Sequence, residues 1–281
     1  MSLDHFSRRA GGARFTGVHA YGDDIYTEPD GDPDTLANLG PLRPMAGVWE
    51  GTMGADTHPV VEGTEHDVFT EHYELHPIDF QTNGPQLFYG LRYHTHILNP
   101  GELPTFHDQV GYWLWEPAAH AVTLTLGIPR GQVLIAVGAA EPDATEFELT
   151  AALGSETSGI VSNPFLNQAF RTTSYRIHVW VNDDGTWSYE EEGVLEIPGR
   201  VEPFSHIDGN TLHKVGEPIP NPLSLIADGG DGAGSGAGGA GGGGSGAAGG
   251  ATGTGAQGQG DTSLGIGSLR DDTTGGRTLI G

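Results

Sequence analysis

The chain has 281 residues, a net charge of −25 at pH 7 and no cysteine. The lack of cysteine excludes a disulfide scaffold and thiolate chemistry, and it favours a reducing compartment, which we take to be the cytoplasm. The negative charge argues against nucleic acid or an anionic membrane as a partner. No apolar run is long enough to span a membrane, and the N-terminus lacks the hydrophobic core of a secretory signal.

Both ends of the chain differ in composition from the middle. Residues 1–40 are polar and rich in turn-forming residues, which predicts a poorly ordered extension. More than half of Gly229–Gly260 is glycine, so residues 217–281 are predicted to form a flexible tail that cannot bury a packed face. Residues 41–216 remain, which is enough chain for one ordinary domain.

The middle of the chain is predicted to be β-structure almost throughout. Alternation of apolar and polar residues over Ala121–Ile128 and Thr173–Val181 is typical of strands with one buried face. Asp184-Gly185 predicts a hairpin turn, and Asn163–Phe170 is the one plausible helix. The other predicted strands, in chain order, lie within 45–53, 65–75, 85–97, 108–116, 132–140, 144–153, 187–197 and 205–215. About ten antiparallel strands predict a closed barrel or a sandwich.

The first predicted strand opens with a distinctive pattern, Gly47-Val-Trp49-Glu-Gly51. Its glycines permit a sharp bend, and Trp49 is predicted to plug one end of a barrel. This pattern resembles the Gly-x-Trp-x-Gly signature of the calycin-like barrels, which include the lipocalins and the fatty-acid-binding proteins.

Further segments resemble the nitrobindin family, and they follow in that family's order over Leu42–Val215. His107 precedes a Gly111-Tyr112-Trp113 group on one strand, and a polar turn at Ile128–Gly131 follows a hydrophobic strand. The last matching element is Glu202–Val215. The resemblance implies an all-β fold, a ten-stranded antiparallel up-and-down barrel with disordered termini.

The same resemblance implies a function. Nitrobindins hold heme b near one mouth of the barrel. By the resemblance, His206 matches the axial ligand of the ferric iron, and His107 matches a histidine close to the heme. A small diatomic or reactive nitrogen ligand is then the expected partner, with nitric oxide binding and isomerisation of peroxynitrite to nitrate as the implied activity. Whether the chain is an enzyme, and whether it is a monomer or a homodimer, stays open.

His213 is the rival to His206 as the iron ligand. The two are seven residues apart, an odd number, so a regular strand points them to opposite faces. We expect His206 to face the interior. Asp208, two residues further on, then shares its face and is a candidate to orient the imidazole.

Other histidines and acids lie on neighbouring predicted strands. His94 and His96 have metal-ligand spacing and, with His107, offer an alternative three-histidine zinc site. Against this, the opposite face of their strand is apolar and is predicted to be the buried one. Glu71 and its neighbours are predicted to form a solvated face; these neighbours are His72, Glu74 and His76.

A heme-free carrier of a lipid or another apolar molecule is the alternative function. Fatty-acid-binding relatives clamp a carboxylate with buried arginine, and the candidates here are Arg92, Arg171 and Arg176.

Overall fold

The computed structural model describes residues 21–61, 63–101 and 105–228, together with the backbone of two short segments near the C-terminus. The strands are β1 Gly47–Val60, β2 Gly63–Pro77, β3 Gln81–Asn83, β4 Gln86–Leu98, β5 Thr105–Glu116, β6 Ala121–Ile128, β7 Gln132–Ala139, β8 Glu146–Leu153, β9 Gly159–Ser162, β10 Arg171–Val181, β11 Trp187–Glu196, β12 Phe204–Gly216, β13 Thr262–Ser263 and β14 Ser268–Leu269. The α-helices are α1 Pro164–Ala169 and α2 Pro222–Asp228, and short 3₁₀ turns lie at Leu36–Asn38, Gly40–Met45 and Pro117–Ala119.

The long strands pair into a closed barrel in up-and-down order. β1 pairs with both β2 and β12, β2 pairs with β4, and the remaining neighbours follow in chain order around the ring. β9 fills a gap between β7 and β8, where those two strands share one residue pair. The expected all-β barrel is therefore confirmed, with eleven strands in the wall. The expectation of purely antiparallel pairing is wrong at one place, because β9 runs parallel to β8.

One end of the barrel is closed by the segment that precedes β1. Leu39, Leu42 and Met45 are fully buried there. Trp49 is buried as predicted; its indole Nε1 donates to the carbonyl of Met45 at 2.8 Å, and its ring meets that of Trp187 edge to face. The opposite end carries the β1–β2, β4–β5, β6–β7 and β11–β12 connections, and we call it the mouth.

Segments before the first barrel strand and after the last one also pack against the barrel. Leu39 is fully buried, so the packed part of the chain begins before the predicted boundary at Pro41. Near the C-terminus, Asn221 is buried, and its side chain donates to the carbonyl of Pro33 and to Asp79. Residues 1–20 and most of 229–281 lie outside the described residues, and so do the predictions of a poorly ordered extension and a flexible tail for these segments.

A register irregularity in β1 decides which of its residues face the interior. Trp49 lies opposite Tyr73 of β2, and both are buried. The pairing then shifts between Gly51 and Gly54. Because a bulge of this kind moves later side chains to the other face, the even-numbered residues after Gly54 point inward.

Among the described helices, none combines the length and the apolar character needed to cross a bilayer. The predicted helix near Asn163 is confirmed as α1, whose first turn is capped by the Asn163 side chain accepting from the backbone N–H of Leu166.

Candidate functional site

Three neighbouring strands bring titratable side chains together inside the mouth. β1, β2 and β12 pair side by side, and Asp56 of β1 lies directly opposite both Asp67 of β2 and Asp208 of β12. Glu65 lies opposite His58 in the same hairpin. Strand alternation turns these side chains inward. We call the following set the mouth cluster: Asp56, His58, Glu65, Asp67, His206 and Asp208.

His206 and Asp56 make the closest contact in the mouth cluster. Nε2 of His206 lies 2.7 Å from Oδ1 of Asp56, and the two side chains are 1% and 3% exposed. The contact does not meet the angular requirement of a hydrogen bond, so neither atom has a well-aligned partner among the described residues. Nδ1 of the same ring is also without a partner and lies 3.7 Å from Oδ2 of Asp208. The two buried side chains therefore meet at a distance typical of a charge-assisted hydrogen bond, with poor alignment of the ring N–H toward Oδ1.

The other oxygen of Asp56 has an ordinary partner. His58 is fully buried, and its Nδ1 donates to Oδ2 of Asp56 at 2.8 Å. Burial alone would raise the pKa of Asp56, but the contacts with His206 and His58 outweigh it and lower that pKa to about 2. Burial lowers the pKa of His206 despite Asp56. The pair thus favours an ionised carboxylate beside a neutral imidazole.

Further carboxyl groups face the interior below the mouth cluster. Glu71 accepts hydrogen bonds from Thr95, Tyr189 and Asn210 at 2.8–3.0 Å. The prediction of a solvated face is therefore wrong for Glu71, because odd-numbered residues of β2 point inward. It is also wrong for His76, which is buried and whose Nδ1 accepts from the backbone N–H of Ile219. Burial raises the pKa of Glu71, and it raises the pKa of Glu191 on β11 to about 7. This interior is unusually rich in carboxyl groups for a buried space.

A small cavity joins these groups. Its volume is about 30 Å³, and its lining includes Asp56, Glu71, His107, Glu191 and Asp208. A space of that size holds one or two water molecules, since one needs roughly 10–15 Å³.

His107, the second predicted site residue, is buried in the cavity wall. Its Nε2 lies 3.1 Å from Oε1 of Gln109, whose amide in turn donates to the hydroxyl of Tyr93. Burial, with Arg130 nearby, lowers the pKa of His107 to about 4, so the ring is neutral at physiological pH. His107 and His206 both belong to the mouth, as the sequence predicts.

His213 lies on the outer surface of β12 and is exposed, whereas His206 is inside. The predicted opposition of the two residues is confirmed. His94 and His96 also lie outside, and both place Nε2 within 3.1 Å of Oδ2 of Asp108. The three-histidine zinc alternative is wrong, because His107 faces the interior and cannot join them.

The arginines proposed as a carboxylate clamp do not enter the barrel. Arg92 and Arg171 are exposed. Arg176 lies on the outer face among Glu148, Glu190 and Glu192. The carrier alternative therefore loses its predicted anchor.

The sequence model of one protein family, described as the THAP4-like, heme-binding beta-barrel domain, matches residues 38–214, which is more than half of the chain. The chain belongs to this family. The resemblance to nitrobindins is thereby confirmed. Among solved structures, that of Rv2717c from M. tuberculosis is similar, with 22% sequence identity and a TM-score of 0.45 over 66% of this chain and 99% of that one. No curated protein matches the chain.

The family's heme does not fit the interior that this sequence builds. Small-molecule sites commonly occupy about 300–1,000 Å³, whereas the cavity beside His206 measures about 30 Å³. A heme macrocycle is apolar and carries propionates; Phe69, Ile97 and Phe106 line part of the space, but so do the carboxyl groups of Asp56, Glu71, Glu191 and Asp208. Size and polarity therefore both oppose a heme in this fold as it stands.

The sequence analysis missed Asp56, His58, Glu65 and Asp67. Simple alternation from Trp49 sends Asp56 and His58 outward, and only the shift between Gly51 and Gly54 turns them inward. The sequence of β2 contained a usable pattern. Glu65 and Asp67 are separated from the buried Phe69 by even numbers of residues, so a regular strand places all three on the same face.

Proposed function

We propose that this chain is a metal-binding barrel in which Asp56, His206 and Asp208 hold a divalent ion of the first transition series. The contact between His206 Nε2 and Asp56 Oδ1 carries the proposal, because it brings two buried ligand-type atoms to 2.7 Å without a well-aligned hydrogen bond. Two ligands bound about 2.1 Å from one ion lie about 3.0 Å apart in octahedral and about 3.4 Å apart in tetrahedral geometry, so these two atoms would separate by a few tenths of an ångström to bind it. The ligand atoms of the three residues lie within 4.8 Å of one another.

The protonation states of the three residues support this ligand set. Metal binding requires a neutral imidazole and ionised carboxylates. Asp56 is held in its ionised form and His206 in its neutral form by their surroundings. Asp208 differs, since burial and the nearby acids raise its pKa well above the ordinary value. A bound cation would offset that repulsion and take the place of the proton.

The residue types also indicate the kind of ion. One imidazole with two carboxylates suits zinc, iron, cobalt or manganese better than a purely oxygen-seeking ion such as magnesium. The adjoining cavity of about 30 Å³ leaves room for a water molecule beside the ion. Glu191, with its pKa raised to about 7, borders that space and is able to exchange a proton near neutral pH.

A second candidate is favoured by family membership: ferric heme b bound through His206, with nitric oxide binding and peroxynitrite isomerisation as the associated activity. In its support, His206 and not His213 faces the interior, and His107 lines the cavity together with Asp56 and Asp208, the two neighbours of His206. It requires that a space of about 30 Å³ open by an order of magnitude among carboxyl groups.

Two parallel titrations of the full chain, freed of metal with a chelator, test the proposal. One adds Co²⁺ and follows its visible absorbance, and the other adds hemin and follows the Soret band. We expect saturable Co²⁺ binding that raises the melting temperature, and no stoichiometric Soret shift. A one-to-one Soret complex lost in His206→Ala, with no Co²⁺ binding, would overturn the proposal in favour of heme.

A further inference from the structure

The tip of the β1–β2 hairpin contains a second group of ligand-type atoms. His58, Glu65 and Asp67 place one such atom each within 4.8 Å of one another. His58 lies directly opposite Glu65, and Asp67 lies opposite Asp56. This group adjoins the one at His206 but shares none of its three residues.

His58 is oriented as a metal ligand would be. Its Nδ1 is occupied by the 2.8 Å hydrogen bond to Asp56, so the free position of the neutral ring is Nε2. That atom is buried, has no hydrogen-bond partner among the described residues and faces Oε2 of Glu65 at 3.4 Å. A histidine that binds a metal through one nitrogen and donates to a carboxylate through the other is a recurring arrangement in metalloproteins.

Asp67 supplies an independent observation. Its Oδ2 is buried without a hydrogen-bond partner among the described residues. Cross-strand pairing places Asp67 directly opposite Asp56, and like charges in that position destabilise a sheet. A lone pair on Nε2 would also repel both nearby carboxylates. A cation between the three side chains would satisfy every one of these atoms.

The surrounding structure holds the hairpin tip in place and leaves it accessible. Arg200, in the β11–β12 connection, donates to the carbonyls of Val60 and Gly63 on either side of the turn. Glu65 is 37% exposed, which gives an ion a route from solvent.

We infer that His58 Nε2, Glu65 and Asp67 form a second binding site for a divalent transition-metal ion, coupled to the His206 site through Asp56. Asp56 would be a direct ligand at the His206 site and, at this one, the carboxylate that orients His58. The two sites have different ligands, so this inference stands or fails separately from the proposed function.

The test is the number of Zn²⁺ ions bound per chain, measured by equilibrium dialysis and elemental analysis. Every protein carries His94→Gln and His96→Gln, because the exposed histidines beside Asp108 are able to hold an ion of their own. We expect two ions in this background and one in Glu65→Gln or Asp67→Asn. Glu74→Gln, which changes a 44% exposed acid on the outer face of β2, is the matched control and keeps two.

Asp56 and His206 variants separate the two proposals. His206→Ala should lose one ion and keep the one at His58. Asp56→Asn should weaken binding at the hairpin site by about 10–100-fold, the usual effect of removing a partner of a ligating histidine, and should also weaken the His206 site. If the background protein binds one ion, and that ion is lost in His206→Ala but kept in Glu65→Gln, the hairpin site alone is overturned. If Glu65→Gln binds one ion fewer than the background protein, the hairpin site is supported. If the background protein binds no ion, both sites are overturned.

An ion pair is the competing explanation for the hairpin group. Burial lowers the pKa of His58, but Asp56, Asp67 and Glu65 raise it to a value above the ordinary one. If a protonated His58 simply pairs with Glu65, the melting temperature of the His206→Ala protein, which lacks the other site, will respond to pH and not to Zn²⁺. Circular dichroism in the presence of a chelator checks that each variant is folded, and a Zn²⁺-independent melting temperature in the folded His206→Ala protein would contradict the inference.

Discussion

Nε2 of His206 lies 2.7 Å from Oδ1 of Asp56 inside the barrel, and neither atom has a hydrogen-bond partner among the described residues. A buried pair in this state costs free energy unless something else satisfies it. The same Asp56 also receives a hydrogen bond from His58. One carboxylate thus joins two imidazoles that come from different strands.

Trp49, which fills the closed end, is expected to contribute more to the stability of the barrel than other apolar side chains. Trp49→Ala should lower the free energy of unfolding by about 3–5 kcal/mol, because it empties a buried aromatic site and removes the hydrogen bond to Met45. Urea denaturation measures this. Trp180→Ala, on the partly exposed outer face of β10, is the control and should cost much less. A loss below about 1 kcal/mol for Trp49 would contradict the packing described here.

Gly54 is expected to be essential to the register that turns Asp56 and His58 inward. A Cβ at this position would lie 2.2 Å from the ring of Phe69, which is itself buried. Gly54→Ala should therefore cost about 1–3 kcal/mol of stability and weaken Co²⁺ binding. Met53→Ala, in the same irregularity but 77% exposed, should change neither. Unaltered Co²⁺ affinity in Gly54→Ala would show that the site does not depend on this register.

Glu116 is expected to make the barrel less stable as pH rises. Burial raises its pKa from 4.5 to about 7, and Gln86 donates to one of its oxygens. Between these two pH values the folded state keeps a proton that the unfolded state has lost, so stability falls as pH rises from about 4.5 to about 7 and levels off above that. Glu116→Gln should remove that fall and stabilise the protein at pH 8 by up to about 3 kcal/mol.

The measurement is the difference in unfolding free energy between Glu116→Gln and wild type from pH 4 to 8. Glu156→Gln, at an exposed carboxyl, is the control. A constant difference across that range would mean that Glu116 is ionised in the folded protein at every pH tested.

The segment after β12 is expected to contribute stability only up to α2. Removing residues 229–281 should leave the melting temperature nearly unchanged, because that composition supplies few apolar side chains for a packed face. Removing residues 217–281 should lower it by several degrees, since Asn221 then no longer bridges Pro33 and Asp79. Equal melting temperatures for the two truncations would show that the Asn221 contacts contribute nothing.

The sequence predicted the parts of the fold that depend on local pattern. Alternation located the strands, and Trp49 and the Gly185 turn marked an end of the barrel and a hairpin. Parity also placed His206 inside and His213 outside, because β12 keeps its alternation between them.

The site was harder to predict, because its residues depend on long-range register. Asp56 and His58 face inward only after the shift at Gly51–Gly54, which no local pattern announces. Glu71 was assigned with its neighbours to a solvated face, yet three hydrogen-bond donors from β4, β11 and β12 accommodate it inside the barrel. Family resemblance predicted heme, whereas the polarity and size of the cavity depend also on Asp56, Glu71 and Glu191, which lie outside the shared motifs.

The most direct test of the central claim, that His206 is a metal ligand, compares Co²⁺ binding in His206→Ala and His213→Ala by isothermal titration calorimetry. Both proteins carry His94→Gln and His96→Gln and are titrated at one pH. The account predicts that His206→Ala loses one binding event, whereas His213→Ala keeps the stoichiometry and affinity of its background. Equal binding in the two proteins, or a loss confined to His213→Ala, would contradict it.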